Sequence, residues 1–319
     1  MRAVVTGAAG FIGSFLTEAL LERGDEVVGV DCFTAYYDAD RKRRNLTAAQ
    51  DVDRFTLVEG DINDLDVANL LENADVVFHL AGQPGVRASW GEEFDIYLRE
   101  NVLTTQKLLE AARALSVERF VLASSSSVYG QAERFPTREA DAPRPVSPYG
   151  VTKLAAEHLS HLYHTAFDVP VVMLRYFTVF GPRQRPDMAF SRFVAAALED
   201  RPLAIIGDGG QGRDFTYVAD AVAATIAAGD RGTPGAIYNI AGGCQATVLE
   251  VVETLEKLVG RPLAREHLPP VPGDPRRTGA DVSAARADLA YAPSTGLEAG
   301  LSRQLEHAQS GLQPREAHS

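Results

Sequence analysis

Tyr149 and Lys153 stand four residues apart, with Gly150, Val151 and Thr152 between them. The stretch from Lys153 to Tyr163 has helical patterning, so the phenol and the amine share one helix face. The chain holds ten tyrosines but only four lysines, at 42, 107, 153 and 257, so chance alone seldom produces such a pair. Its chemical use is proton transfer. A lone tyrosine ionises near pH ~10. A neighbouring ammonium favours the phenolate and draws its pKa toward working pH. Such a phenolate takes the proton of an alcohol while the alcohol carbon gives up a hydride.

A second group of residues provides for that hydride. Thr6-Gly7-Ala8-Ala9-Gly10-Phe11-Ile12-Gly13 follows a Val-rich strand and opens a helix. Gly7 and Gly10 let backbone approach a pyrophosphate, and Gly13 permits close helix–sheet packing. The helix N-terminus, with Phe11 and Ile12 in its first turn, favours negative charge. Asp31 ends the next strand, eighteen positions after Gly13. A carboxylate there hydrogen-bonds a ribose 2′-hydroxyl and repels a 2′-phosphate, so the expected cofactor is NAD rather than NADP. Its cationic nicotinamide would also favour the Tyr149 phenolate. Arg41-Lys42-Arg43-Arg44 could face a cofactor phosphate. A charge run after Asp38 and Asp40 reads instead as a solvated helix start.

Ser124-Ser125-Ser126-Ser127-Val128-Tyr129-Gly130 closes a third pattern, the apolar run Phe120–Ala123. In a parallel sheet, ligands lie outside the carboxyl ends of the strands. Four hydroxyls there either bind a substrate or satisfy the backbone of their own loop.

These residues need a scaffold, and the spacing supplies one. Val4–Thr6, Glu26–Val30, Phe55–Val58, Val76–Leu80 and Phe120–Ala123 are short apolar runs that predict buried strands, as do Val171–Tyr176 and Ala236–Ile240. Phe11–Arg23, Asp64–Glu72 and Glu92–Ala114 carry helical spacing between them. The alternation predicts an α/β fold with a doubly wound parallel (Rossmann) sheet. After Tyr176 the pattern loosens into loops such as 181–186, 207–212 and 268–273, with helices at Met188–Glu199 and Val248–Val259. This predicts a smaller C-terminal α/β lobe. Residues 1–175 plus about 214–241 form the expected dinucleotide domain, and 176–213 plus about 242–310 the second lobe. The tail after about Gln309 is polar.

Composition narrows the partners. The formal charge of −12 argues against a nucleic-acid partner, which needs a basic footprint. Two cysteines, Cys32 and Cys244, exclude a disulfide scaffold. No run of 18 apolar residues predicts a membrane span. The first residues run straight into a strand without a secretory leader, so a cytoplasmic protein is expected. His158, His161 and His164 drift around their helix without a carboxylate or thiol to complete a set, and no metal is expected. His79 reads as a satisfied core histidine, Trp90 as packed beneath a loop, and Cys32 as no nucleophile.

Taken together, Thr-Gly-x-x-Gly-x-x-Gly, the serine run with Val128-Tyr129-Gly130 and Tyr149-x-x-x-Lys153 resemble the extended short-chain dehydrogenase/reductase superfamily. More narrowly the chain resembles the nucleotide-sugar epimerases. Further matching segments are Gly60-Asp61-Ile62, His79-Leu80-Ala81-Gly82, Asn101, Ser147-Pro148-Tyr149-Gly150 and Gly212-Arg213-Asp214-Phe215. The resemblance implies hydride transfer from C4 of the sugar to NAD, with Tyr149 as base and Lys153 as its tuner and nicotinamide-ribose ligand. It makes Ser125, four residues before Tyr129, the hydroxyl that orients the reacting oxygen. Asp61, Ile62, Leu80, Ala81, Gly82 and Asn101 join the expected cofactor contacts. A homodimer through the helices Glu92–Ala114 and Tyr149–Phe167 is implied as well.

The neighbours of Ser125 select the reaction. Related 4,6-dehydratases carry Asp and Glu in the next two positions, and UDP-glucuronate decarboxylases carry a Glu two residues before the matching Tyr129. This chain has Ser126 and Ser127. Epimerisation needs no such acid: oxidise, rotate the 4-keto sugar, return the hydride. Tyr176–Ala189 resembles the UDP-glucuronate 4-epimerase pattern, and Tyr36-Tyr37-Asp38 points the same way. A sugar carboxylate suits a guanidinium. Arg185 is the matching candidate, with Thr178, Ser126 and Ser127 as further contacts; Arg185 could instead pair with Asp187. The resemblance makes Arg213 the main diphosphate anchor and puts Asp274 at the uridine ribose. Arg277, Met188, Arg192, Gln83 and Arg87 complete the expected UDP-sugar contacts. UDP-glucose is the alternative substrate, and a non-catalytic NAD-binding regulator or scaffold the alternative of another class.

Overall fold

Among the described residues the chain forms twelve strands, in a computed structural model that describes residues 1–271, 273 and 275–312. They are β1 (Arg2–Thr6), β2 (Glu26–Asp31), β3 (Phe55–Glu59), β4 (Val76–His79), β5 (Arg119–Ser125), β6 (Val171–Tyr176), β7 (Val179–Phe180), β8 (Leu203–Ile206), β9 (Gly212–Tyr217), β10 (Ile237–Ile240), β11 (Cys244–Thr247) and β12 (Arg265–Leu268). Seven make one parallel sheet in the order β10-β6-β5-β4-β1-β2-β3. Alternate side chains of each strand feed opposite faces. Val5, Val27, Val121 and Leu174 join one apolar cluster, with Leu16 and Leu20 of the helix Phe11–Arg23 and Ala221 and Ala228 of the helix Val218–Arg231. Val4, Val28, Phe120 and Met173 join the other, with Leu108 and Leu109 of the helix Thr104–Leu115 and Ala156 and Tyr163 of the helix Pro148–Phe167. Each buried Val, Leu, Phe or Met side chain among them stabilises the fold by about 1.5–3 kcal/mol.

The chain runs outward through β1, β2 and β3, then crosses back to place β4 on the other side of β1. Two loops therefore diverge between the carboxyl ends of β1 and β4, which opens a crevice there. Two small sheets, β11-β9-β7 and β12-β8, lie apart from the large one. β9 pairs in the first of them, whereas the later β10 returns to the large sheet.

Local signals explain the key helix. Ser147 caps its N-terminus by accepting from the Gly150 N–H, Pro148 opens it, and Asp168 ends it at φ 57°. Other expectations need correcting. The segment expected as one helix over Glu92–Ala114 is a 3-10 turn at Gly91–Glu93, an α-turn at Phe94–Tyr97, a π-helix at Leu98–Leu103 and then an α-helix. At the π-turn, Asn101 spends its side-chain amide on Gln83 and Thr152. The helix expected over Asp64–Glu72 is shorter, Val67–Leu71, because Asp66 caps it through the Asn69 N–H. Trp90 is not packed beneath a loop; it is 51% exposed.

Candidate active site

The glycine turn is built for close approach. Gly7 sits at φ 70°, where a Cβ would lie 2.9 Å from the Ala81 nitrogen. A Cβ on Gly13 would lie 2.1 Å from the Gly7 oxygen, so helix and turn meet backbone to backbone. Asp31 closes the far side, accepting from the Ala9 N–H at 3.1 Å and the Phe33 N–H at 2.8 Å. Gly7, Gly10, Phe11, Ile12, Gly13, Asp31, Asp61, Ile62, Leu80, Ala81 and Gly82 line one cavity at the crevice, with Gln83, Tyr149 and Lys153 at its inner end. A glycine cradle beside a helix N-terminus, with a carboxylate opposite, fits NAD. Asp61 also takes a hydrogen bond from Arg99; burial works against its ionisation, but Arg99 and the Asn63 N–H hold its carboxyl below the usual range.

The basic run splits. Arg43 pairs outward with Glu59 and Arg44 is exposed. Lys42 contradicts the solvated reading: it is buried, donates to Thr34 at 3.1 Å and lies 3.9 Å from Asp31 in the same cavity wall. Asn101 lines neither this cavity nor the next among the described residues; it ties the loop after β4 to the helix Pro148–Phe167.

At the inner end, burial pushes the Tyr149 phenol above its ordinary value, opposed by a hydrogen bond with Ser125 and by the charge of Arg185. Tyr97 packs edge-on against it at 6.3 Å. Lys153 is buried and donates to the Ala123 carbonyl at 2.9 Å. Burial lowers its pKa to about 8, with Glu157 acting the other way. Ser125 accepts from the Ser127 N–H at 3.1 Å and so forms the turn that carries it. Ser124 also lines the first cavity, but its hydroxyl donates to Glu157. His79 lies between Thr6 and Thr105, and burial lowers its pKa to about 3.

A second cavity adjoins the first. It is lined by Arg87, Thr178, Arg185, Met188, Arg192 and Arg213 among the expected residues. Arg213 donates to the Gly212 carbonyl at 2.8 Å. Tyr36 and Arg185 border both cavities. Ser126 and Ser127 line neither, and Arg277 is drawn away by Gln245 at 2.7 Å and the Phe135 ring at 5.0 Å. Asp274 lies outside the described residues. No sequence signal marked Lys42 as buried or Tyr36 as a wall of both cavities. Among the described residues no group of three or more His, Cys, Asp or Glu could hold a metal ion, and no helix is long and apolar enough to cross a membrane.

A family model described as the NAD dependent epimerase/dehydratase family matches residues 3–241. An uncharacterised UDP-glucose epimerase of Bacillus subtilis (strain 168) is 45% identical over 97% of this chain and 98% of its own length. A UDP-glucuronate 4-epimerase of Thermodesulfobacterium geofontis (strain OPF15) is 36% identical over 97% of both chains. Among solved structures, the UDP-glucuronic acid 4-epimerase of Bacillus cereus in complex with UDP-glucuronic acid and NAD superposes with a TM-score of 0.95, at 45% identity, over 97% of this chain and 99% of that one.

Proposed function

This chain belongs to the NAD dependent epimerase/dehydratase family, and on that premise we propose that it is an isomerase that interconverts UDP-glucuronate and UDP-galacturonate at C4. The observation that carries this reading is that Tyr149 and Lys153 share the wall of the dinucleotide cavity, Ser125 hydrogen-bonds Tyr149 although it lines neither cavity itself, and Arg185 stands on the wall shared with the second cavity. Gly7, Gly10, Gly13 and Asp31 would hold NAD, which would supply the hydride acceptor and donor for C4. Tyr149 takes the C4 hydroxyl proton and later gives it back. Ser125 orients the reacting oxygen, and the positive charges of Lys153 and Arg185 favour the phenolate.

The second cavity holds the UDP-sugar. Arg213 and Arg192 face the diphosphate, and Arg185 and Thr178 face the C5 substituent. Oxidation at C4 of a uronate gives a β-keto acid that can lose carbon dioxide. Ser126 and Ser127 stand where related enzymes carry acids, so this site offers no carboxylic acid there to protonate a carbanion. Residues 1–175 with about 214–241 form the NAD lobe, and 176–213 with about 242–310 the sugar lobe.

The deciding experiment is product analysis with purified enzyme and UDP-glucuronate. UDP-galacturonate should form, and return, without net NADH. A mainly pentose product would overturn the reading. Turnover of UDP-glucose alone would select the neutral sugar, which the description of the Bacillus subtilis relative favours.

The enzyme works as a homodimer in the cytoplasm on this reading. Ile96, Leu98 and Leu103 on one segment and Val151, Leu162 and Phe167 on the helix Pro148–Phe167 are exposed apolar side chains. Burying them against a second copy removes an apolar patch from water. Light scattering should give twice the 34.4 kDa chain mass; a monomer would refute the dimer.

A further inference from the structure

Arg185 already has a carboxylate partner within the chain. Its Nε and Nη2 donate to Asp187 Oδ1 and Oδ2 at 3.0 and 3.1 Å, a two-point contact. Asp187 Oδ2 also accepts from Tyr36 Oη at 3.3 Å. Tyr36 follows β2 in the large sheet, whereas Asp187 precedes the helix Ala189–Leu198, so this bond joins two distant loops that both line the second cavity. The Arg185 guanidinium lies 6.0 Å from the Tyr36 ring centre. The Arg185 and Asp187 side chains are 21% and 38% exposed, so the pair stands at a cavity wall and is open to exchange.

A guanidinium binds a carboxylate best through two parallel N–H groups. A sugar carboxylate arriving at the same edge must take them from Asp187. A neutral C5 substituent makes no such exchange. Asp187 also places a negative charge beside the site, and that charge repels an acidic sugar more than a neutral one.

We propose that Asp187 is a specificity-determining residue: an internal carboxylate, tethered by Tyr36, that occupies Arg185 until the carboxylate of an acidic UDP-sugar displaces it. The inference rests on the UDP-glucuronate reading above. Both epimers carry the same carboxylate, so Asp187 weakens the hold on substrate and product alike and speeds the departure of each.

The test is binding of UDP-glucuronate and UDP-glucose by calorimetry to NAD-loaded enzyme carrying Tyr149→Phe, so that turnover does not intervene. Adding Asp187→Asn should tighten UDP-glucuronate about fivefold, the scale of one exposed ion pair, with little change for UDP-glucose. Weaker UDP-glucuronate binding would make Asp187 a strut that aims Arg185. Equal tightening of both sugars, or no change, would also overturn the proposal. Arg185→Ala separates this from the underlying reading. If that variant leaves the ratio of the two affinities unchanged, Arg185 does not read the sugar carboxylate. If enzyme with Tyr149 intact does not convert UDP-glucuronate, the substrate itself is wrong.

Discussion

Glu157 and Arg175 meet edge to edge behind the reaction centre, Nε to Oε1 at 2.9 Å and Nη2 to Oε2 at 2.7 Å, with side chains only 4% and 3% exposed. Ser124 donates to the same carboxylate. Arg175 Nη1 donates to Tyr129 Oη at 2.7 Å, and Tyr129 in turn donates to Asn239 at 2.7 Å. The cluster pins the helix of Tyr149 and Lys153 against β5, β6 and β10, one turn beyond Lys153. Arg175→Met leaves a buried carboxylate unpaired and should destabilise by about 3–5 kcal/mol, read from the denaturant midpoint. The double variant with Glu157→Gln should lose less than the sum of the two singles. Additive losses would mean the two groups are not coupled.

Tyr149→Phe removes the proton acceptor and keeps the ring that packs on Tyr97. Turnover should fall by about 10²- to 10⁴-fold, while NAD and UDP-sugar binding stay close to those of the parent. Single-turnover measurement of hydride transfer checks this. Retained turnover would remove Tyr149 from the chemistry.

Asp31→Asn takes away the negative charge at the ribose end of the cavity and leaves Lys42 without the carboxylate 3.9 Å away. NAD binding should weaken by about tenfold, the scale of one lost charged hydrogen bond. The preference for NAD over NADP should narrow, because the remaining ammonium favours a 2′-phosphate. Fluorescence titration with NADH and NADPH reads both changes.

His79 stays neutral in the fold, its pKa lowered to about 3 by burial. Unfolded, it ionises near 6.5. Between these values the unfolded chain binds a proton that the folded chain refuses, so stability falls as pH drops below about 6.5, by about 1 kcal/mol per pH unit from this group. Replacing His79 with Gln should flatten the dependence between pH 6.5 and 4 in chemical denaturation. An unchanged slope would show that other groups carry it.

Much of this site could be read from the chain before folding. Parallel strands buried on both faces appear as bare apolar runs, so Val171–Tyr176 emerged with its observed bounds. The glycine turn and the Tyr149–Lys153 pair were legible because their chemistry is local, within one turn of backbone. Contacts made across long sequence distances were not. Within the π-wound Leu98–Leu103, Asn101 reaches partners 18 and 51 residues away. Lys42 turns inward toward Asp31 and Thr34, and Arg277 is claimed by Gln245 of β11. No helix is expected over Val218–Arg231 from the sequence, yet the structure forms one there, buried along most of its length.

The polypeptide leaves the large sheet at Tyr176 and rejoins it at Ile237, alongside the very strand it departed from. The excursion between them, carrying Thr178, Arg185, Arg192 and Arg213, thus starts and finishes on neighbouring abutments. Its loops can lengthen, shorten or change chemistry without shifting the register of β5 or the helix behind it. New sugars can be accommodated by rewriting that span, while the apparatus that moves protons is inherited untouched.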